Sequence, residues 1–309
     1  MKFILRLLGL VLLLCLIVFV ALYKSDIPIE KMKAMYAQPP SQFLEIDGLE
    51  VHYRDEGVGQ PIVLLHGTGA SLHTWDEWTE ALRPCYRVIR LDLPAFGLTG
   101  PRADRDYSEA ATVAVIDKLL EKLDADSIII GGNSYGGRMA LHYTNTHPEK
   151  VDQLILVDAS AYHLKGDPES STVFKLANTP VLNQVMTKIA LRGFVKSSLL
   201  EVYHDDSQVT DELIQRYYDM SLRAGNRQAF VDRVTTQYEN NLDWISNIQQ
   251  PTLILWGEQD PWTVVSHAYA FEQDLPNDSL IVYPNAGHVP MEEIGQETVR
   301  DVLWWLGVR

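Results

Sequence analysis

The chain has 309 residues, 46% of them hydrophobic, enough for one large domain with room for an insertion. Its formal net charge of −15, from 41 acids against 26 lysines and arginines, repels nucleic acid, and no basic run follows the N-terminus to offset it. Of the two cysteines, Cys15 falls in an apolar N-terminal segment and Cys85 stands alone beyond it, so the globular part forms no internal disulfide.

The N-terminus, "MKFILRLLGLVLLLCLIVFVALYK", is uncharged from residue 7 to 23. A helix rising about 1.5 Å per residue would carry this stretch across most of a roughly 30 Å hydrocarbon core. That predicts a single-pass membrane anchor over residues 1–24, with membrane contact through residues 3–23. A cleaved signal peptide fits less well, because its apolar region runs about 7–15 residues and ends in a small-x-small site. "FVALYKSD" offers no such site, and Leu14 ahead of Cys15 argues against lipoprotein processing. Lys2 and Arg6 place the N-terminus inside and the following domain on the extracytoplasmic side, although Lys24, Lys31 and Lys33 blunt the asymmetry. Residues 25–42 mix charge and proline and read as a tether with one amphipathic turn.

Beyond the tether, short apolar runs alternate with longer amphipathic ones. "VHYRDEG" and "PIVLLHG" read as strands, "HTWDEWTEALRP" as a helix, "YRVIRLDLP" as a strand, and residues 108–123 as a helix capped by Ser108. "SIIIGG" is a fully apolar strand, followed by a helix over residues 135–145 and the strand "VDQLILVDA". Later come "PTLILWG" and "SLIVYPNAG", each followed by a helical pattern. Strands this continuously apolar are buried on both faces, which predicts an α/β fold: a mostly parallel, doubly wound sheet under crossover helices. Residues 161–235 interrupt the alternation with helical patterns and no convincing strand. The expected organisation is a core over residues 43–160 and 236–309, split by a helical cap at 161–235.

At the end of the apolar strand, Gly132-Asn133-Ser134-Tyr135-Gly136 forms a G-x-S-x-G pattern where a strand turns into a helix. A serine in such a turn is held strained with its hydroxyl exposed, and small neighbours let strand and helix approach. The pattern alone arises by chance in about one chain in ten of this size, so it carries weight only with partners. A serine hydroxyl is a poor nucleophile until a histidine, oriented by a carboxylate, removes its proton. Asp260 follows the strand "TLILWG", and His288 follows the next strand in "YPNAGHVPMEE". The order Ser, Asp, His differs from the orders of the chymotrypsin and subtilisin types. A pocket for the negative charge on an attacked carbonyl oxygen also needs backbone N–H donors. "LLHGTGAS" can present the Thr68 N–H beside that of Tyr135, the residue after the serine.

Together these residues resemble the α/β-hydrolase superfamily from about residue 43 to the C-terminus. The likeness rests on "HGTG" at 66–69, "DLPAFG" at 92–97, "GNSYGG" at 132–137, "GEQDP" at 257–261 and "GHVPMEE" at 287–293. It implies Ser134 as nucleophile, His288 as base, Asp260 as orienting acid, Thr68 and Tyr135 as oxyanion donors, and the helical insertion as cap. Asp158, also at a strand end, is the alternative acid. His66 reads as an organiser of the oxyanion loop, His163, His204 and His267 as solvated or packing residues, and Asp92 and Pro94 as shapers of a turn.

No H-E-x-x-H, clustered Cys/His spacing or strand-linked G-x-G-x-x-G is present, so no metal and no cofactor is expected. "GHVPMEE" looks like carboxylesterases and monoacylglycerol-type lipases, which implies a small-molecule ester substrate, apolar and lipid-like, that would suit a membrane tether. Phe174, Phe194, Tyr203, Tyr217, Tyr218, Met220 and Phe230 are the cap's candidates for an acyl pocket. Two other readings stay open. Carbon–carbon hydrolases of ring-fission products share "GNSYGG" but typically carry Trp after the triad histidine, where this chain has Val289. A ligand-binding member of the fold without activity is the second.

Overall fold

A computed structural model of the chain describes residues 2–168, 171–238 and 242–308. Its strands are β1 (Gln42–Ile46), β2 (Leu49–Glu56), β3 (Pro61–Leu65), β4 (Arg87–Leu91), β5 (Ile128–Asn133), β6 (Val151–Val157), β7 (Thr252–Gly257) and β8 (Asp278–Tyr283). They form one sheet in the order β1-β2-β4-β3-β5-β6-β7-β8. β2 runs antiparallel to both β1 and β4, and every later pairing is parallel. The apolar strands alternate strictly between the faces: Val63, Leu65, Ile130, Leu156 and Ile254 pack on one side, Ile62, Leu64, Ile129, Ile155 and Leu253 on the other. β1 escapes the sequence pattern because "QFLEI" sits at the sheet edge, where burial is partial and a hydropathy signal weak.

The helices α1 (Lys2–Leu22), α2 (Ile29–Tyr36), α3 (Asp76–Leu82), α4 (Glu109–Lys122) and α5 (Tyr135–Thr146) precede β6. Ser108 caps α4 as its position predicts, accepting the Ala111 N–H. The interval between β6 and β7 holds only helices among the described residues: α6 (Thr172–Ala177), α7 (Leu182–Met186), α8 (Arg192–Val202), α9 (Asp211–Leu222) and α10 (Asn226–Val234). The chain closes with α11 (Ser266–Asp274), α12 (Pro290–Glu293) and α13 (Gly295–Trp305).

The expected single-pass anchor requires correction. Residues 2–22 form α1, but among the described residues no helix is long and apolar enough to cross a membrane. Residue 1 and the side chains at 2, 5, 11, 12, 15 and 16, the Cys15 thiol included, lie outside the described set. The membrane contact through residues 3–23 and the extracytoplasmic placement are withdrawn with it. Residues 25–42, read as a tether, are docked: Met32 of α2 is fully buried against Leu98 and Met220, and the Ile27 backbone pairs with Leu222 and Ala224.

Candidate active site

β5 is buried along its whole length, and α5 starts one residue after it ends. Ser134 fills that single position with φ 52° and ψ −116°, a conformation that costs a non-glycine residue about 1–3 kcal/mol. The surroundings enforce it, since Ser134 N–H donates to Val157 O at 3.0 Å and its carbonyl accepts from both Arg138 and Ser160. A Cβ on Gly132 would collide with the Gly136 carbonyl, and one on Gly136 with the carbonyls of Leu65 and His66. Both glycines are therefore conditions of the turn. Ser134 remains half-buried between Asn133 and Tyr135, which are closed off.

The loops after β7 and β8 bring Asp260 and His288 together: Asp260 Oδ2 lies 2.6 Å from His288 Nδ1. Asp260 Oδ1 accepts the N–H groups of Trp262 and Thr263 at 2.7 and 3.0 Å, and the Thr263 hydroxyl donates to Oδ2 at 2.5 Å. Burial pushes this carboxyl up, but His288, Thr263 and Trp262 together hold it below the usual carboxylate range, so it stays ionised. With Nδ1 engaged, the imidazole keeps Nε2 for the rim.

Asp158, at the end of β6, meets the same cluster, its carboxylate oxygen within 4.8 Å of Asp260 and His288. It accepts the Gly257 N–H at 3.0 Å. Complete burial, then the Asp260 charge, drives it well above the usual range. Its Oδ2 is buried without a hydrogen-bond partner, so it is Asp260 and not Asp158 that is hydrogen-bonded to His288. The two carboxyls at adjacent strand ends are thus shifted in opposite directions, Asp158 up by burial beside a charge and Asp260 down by its hydrogen bonds to His288 and Thr263.

Between β3 and α3, His66 is fully buried and kept neutral by that burial. Its Nε2 accepts the Leu93 N–H at 3.0 Å and its Nδ1 donates to Gly67 O at 2.8 Å, which ties the loop carrying Thr68 to the end of β4. No acceptor among the described residues takes the N–H of Thr68 or of Tyr135. Asp92 shapes the neighbouring turn by accepting the Leu72 and Leu98 N–H groups, both at 2.7 Å. His267 pairs with Asp167 at 2.8 Å, while His163 and His204 are exposed.

A cavity of about 390 Å³ opens from this rim into the cap, with Thr68, Asn133, His288 and Val289 at one end. Phe174, Phe194, Tyr217, Met220 and Phe230 line it, together with Leu182, Met186 and Ile189 from the α7 region. Tyr203 and Tyr218, the other aromatic candidates, do not. Tyr203 is buried with Leu199 and Val202 in the core, and Tyr218 donates to Ala190 O.

Two positioning residues lie inside the motifs at 132–137 and 287–293 but carry no assigned role there. Glu293 is buried and accepts the Gly287 N–H at 2.8 Å and the Asp205 N–H at 2.6 Å, clamping the histidine loop to the cap segment after α8. His288 N–H completes that clamp by donating to Val202 O. Asn133 Nδ2 donates to His288 O at 2.9 Å and to Val157 O at 3.2 Å, joining the residue before the serine to the histidine loop. A hydrogen-bonded Ser-His-Asp chain occurs elsewhere: Ser41 Oγ lies 2.9 Å from His52 Nε2, and His52 Nδ1 2.7 Å from Asp92 Oδ2. None of its members lines the cavity, His52 is fully buried against Phe43, and Asp92 is occupied by its backbone donors.

A family model described as alpha/beta hydrolase fold matches residues 60–293. A Pseudomonas putida relative named 2-hydroxy-6-oxononadienedioate/2-hydroxy-6-oxononatrienedioate hydrolase 2 is 28% identical over 271 residues, covering 85% of this chain and 93% of its own. Among solved structures, a meta-cleavage product hydrolase is 25% identical with a TM-score of 0.74, covering 87% of this chain and 98% of its own. A membrane phospholipase A described as a bacterial virulence factor is 26% identical with the same TM-score of 0.74, covering 100% of this chain and 99% of its own.

Proposed function

We propose that this chain, which belongs to the alpha/beta hydrolase fold family, is a serine hydrolase that cleaves carboxylic esters with an apolar acyl part. Ser134 Oγ attacks the ester carbonyl as His288 Nε2 takes its proton. Asp260 holds the imidazole by Nδ1 and stabilises the imidazolium, while the carbonyl oxygen, now negative, accepts from the Thr68 and Tyr135 N–H groups. His288 then protonates the departing alcohol. Water, deprotonated by the same histidine, releases the acid from Ser134.

The observation that supports an ester with a long acyl part is the cavity, whose walls from α6 to α10 are almost entirely hydrocarbon and which ends at His288. Val289 at its catalytic end leaves room where carbon–carbon hydrolases typically carry a tryptophan. The second reading, cleavage of a carbon–carbon bond in a ring-fission product, is favoured by the names of the curated relatives. A kinetic panel separates the two: 4-nitrophenyl esters from acetate to laurate against a vinylogous 1,5-diketone acid. The ester reading expects kcat/KM to rise with chain length and to exceed that for the diketone about 100-fold or more. A diketone turned over faster than every ester moves the assignment to the second reading.

A further inference from the structure

The cavity wall is hydrocarbon apart from the groups at the strand ends, two serines, Tyr217 and one adjacent pair at the start of α10, Asn226 and Arg227. Gly225 takes a left-handed φ of 89° just ahead of them and turns α10 against the loop around Gly97. Asn226 is 5% exposed, and its Nδ2 donates to the carbonyls of Gly97 at 3.0 Å and Met220 at 2.8 Å. Those two acceptors fix the orientation of the amide and leave Oδ1 buried without a donor.

Arg227 shows the opposite deficit. Its side chain is 9% exposed, and Nη2 donates to Lys24 O at 2.7 Å and Asp26 Oδ1 at 2.6 Å. Nε and Nη1 are buried with no acceptor. A guanidinium carries five N–H donors, so three of them, on a charged group, are left unused. Buried charged donors are rarely abandoned in this way unless a ligand completes them. Arg227 is also the sole lysine or arginine lining the cavity among the described residues. Its partner Asp26 has a side chain 42% exposed, so solvent screens that pairing.

We propose that Arg227 and Asn226 form a subsite for an oxyanion, phosphate or carboxylate, that the substrate carries beside a hydroxyl. The anionic oxygens accept from Arg227 Nε and Nη1, and the hydroxyl donates to Asn226 Oδ1. The proposal rests on the ester hydrolase reading and narrows it to amphiphilic esters with a charged head. Asp26 holds the guanidinium in place between turnovers and competes weakly with the incoming anion.

The test compares 1-lauroyl-glycerol 3-phosphate, a 1-lauroyl-glycerol hemisuccinate and neutral 1-lauroyl-glycerol, all below their aggregation concentrations. Wild type, Arg227→Met, Arg227→Lys and Asp26→Asn are each assayed. In wild type, kcat/KM for an anionic ester exceeds that for the neutral one, and Arg227→Met lowers the anionic value about 10–100-fold while leaving the neutral value within about threefold. Whether the phosphate or the hemisuccinate shows the larger loss identifies the anion. Arg227→Lys restores part of the preference, and Asp26→Asn raises the anionic value alone. Equal losses on charged and neutral esters in Arg227→Met, or Asp26→Asn lowering all three alike, show a structural clamp and overturn the subsite. Binding of the same esters to Ser134→Ala by calorimetry gives the matching readout without turnover: loss of the anionic preference on adding Arg227→Met supports the subsite, and an unchanged preference overturns it. If no ester is hydrolysed while a fluorophosphonate still labels Ser134, the subsite falls and the hydrolase chemistry stands; if labelling also fails, both fall.

Discussion

The rim of the sheet and the wall of the cap face each other across one cavity and are built on opposite terms. At the rim, the loops are held by directional hydrogen bonds: Asp260 accepts from Trp262, Thr263 and His288, Glu293 from Gly287 and Asp205, and Asn133 bridges β6 to the histidine loop. In the cap, side chains such as Phe174, Phe194 and Phe230 present hydrocarbon with few directional contacts. Hydrogen bonds specify position to a few tenths of an ångström, whereas apolar packing tolerates substitution of similar volume. Under the proposed ester hydrolase reading, the reaction is anchored at the rim and the choice of acyl chain is left to the cap.

This contrast is broken most sharply at the rim itself. Ser134→Ala or His288→Ala lowers kcat about 10⁴-fold or more, with KM little changed, because each removes groups needed only as the transition state forms. Single-turnover and steady-state kinetics on one ester check it, and a loss below tenfold would place the chemistry elsewhere. Next in size is the loop clamp. Glu293→Ala strands the buried Gly287 N–H and destabilises the fold by about 2 kcal/mol, with kcat falling further than thermal stability alone explains, since His288 is tied to the same loop. Denaturant melts beside kcat measurements separate the two effects. In the cap, Phe174→Ala raises KM for a laurate ester about tenfold and leaves an acetate ester within about twofold. A uniform loss on both would erase the division of labour.

The smallest expected effect lies between the two strand-end carboxyls. Because burial raises the Asp158 pKa in the folded protein, the native state holds a proton that the unfolded chain releases above about pH 4. Its contribution therefore weakens as pH rises from that value towards the folded pKa. Asp260 behaves oppositely: its folded pKa is depressed, so its stabilisation is present above the unfolded value and is lost on acidification through the folded one. Asp158→Asn, which mimics the neutral acid, keeps kcat within about threefold and flattens the fall in stability on the alkaline side. Asp260→Asn instead costs about 10³–10⁴-fold in kcat. Thermal melts from pH 4 to 9 with parallel rate profiles distinguish them.

How much of this was legible beforehand follows from the same division. Strand-end motifs are local: a β-branched run stopping at glycine, then a serine, an aspartate or a histidine, marks each rim position within a few residues. Glu293 and Asp205 are 88 residues apart, and Arg227 and Asp26 are 201 apart, so no window of sequence contains either contact. The docking of α2 was hidden for the same reason, since Met32 meets Leu98 and Met220 only after the sheet has formed. Hydropathy alone carried the anchor reading, and it was the reading that required correction. The opposite pKa shifts of Asp158 and Asp260 were equally invisible, because they depend on a burial and a neighbour that spacing does not encode.

The most direct test of the account sets the proposed triad of Ser134, His288 and Asp260 against the hydrogen-bonded Ser41, His52 and Asp92. Incubation with a fluorophosphonate, proteolysis and peptide mapping by mass spectrometry should place a single phosphonyl adduct on the peptide containing Ser134, abolished by His288→Ala and untouched by His52→Ala in protein that remains folded. An adduct on Ser41, or a folded protein that takes up no phosphonate, would contradict it.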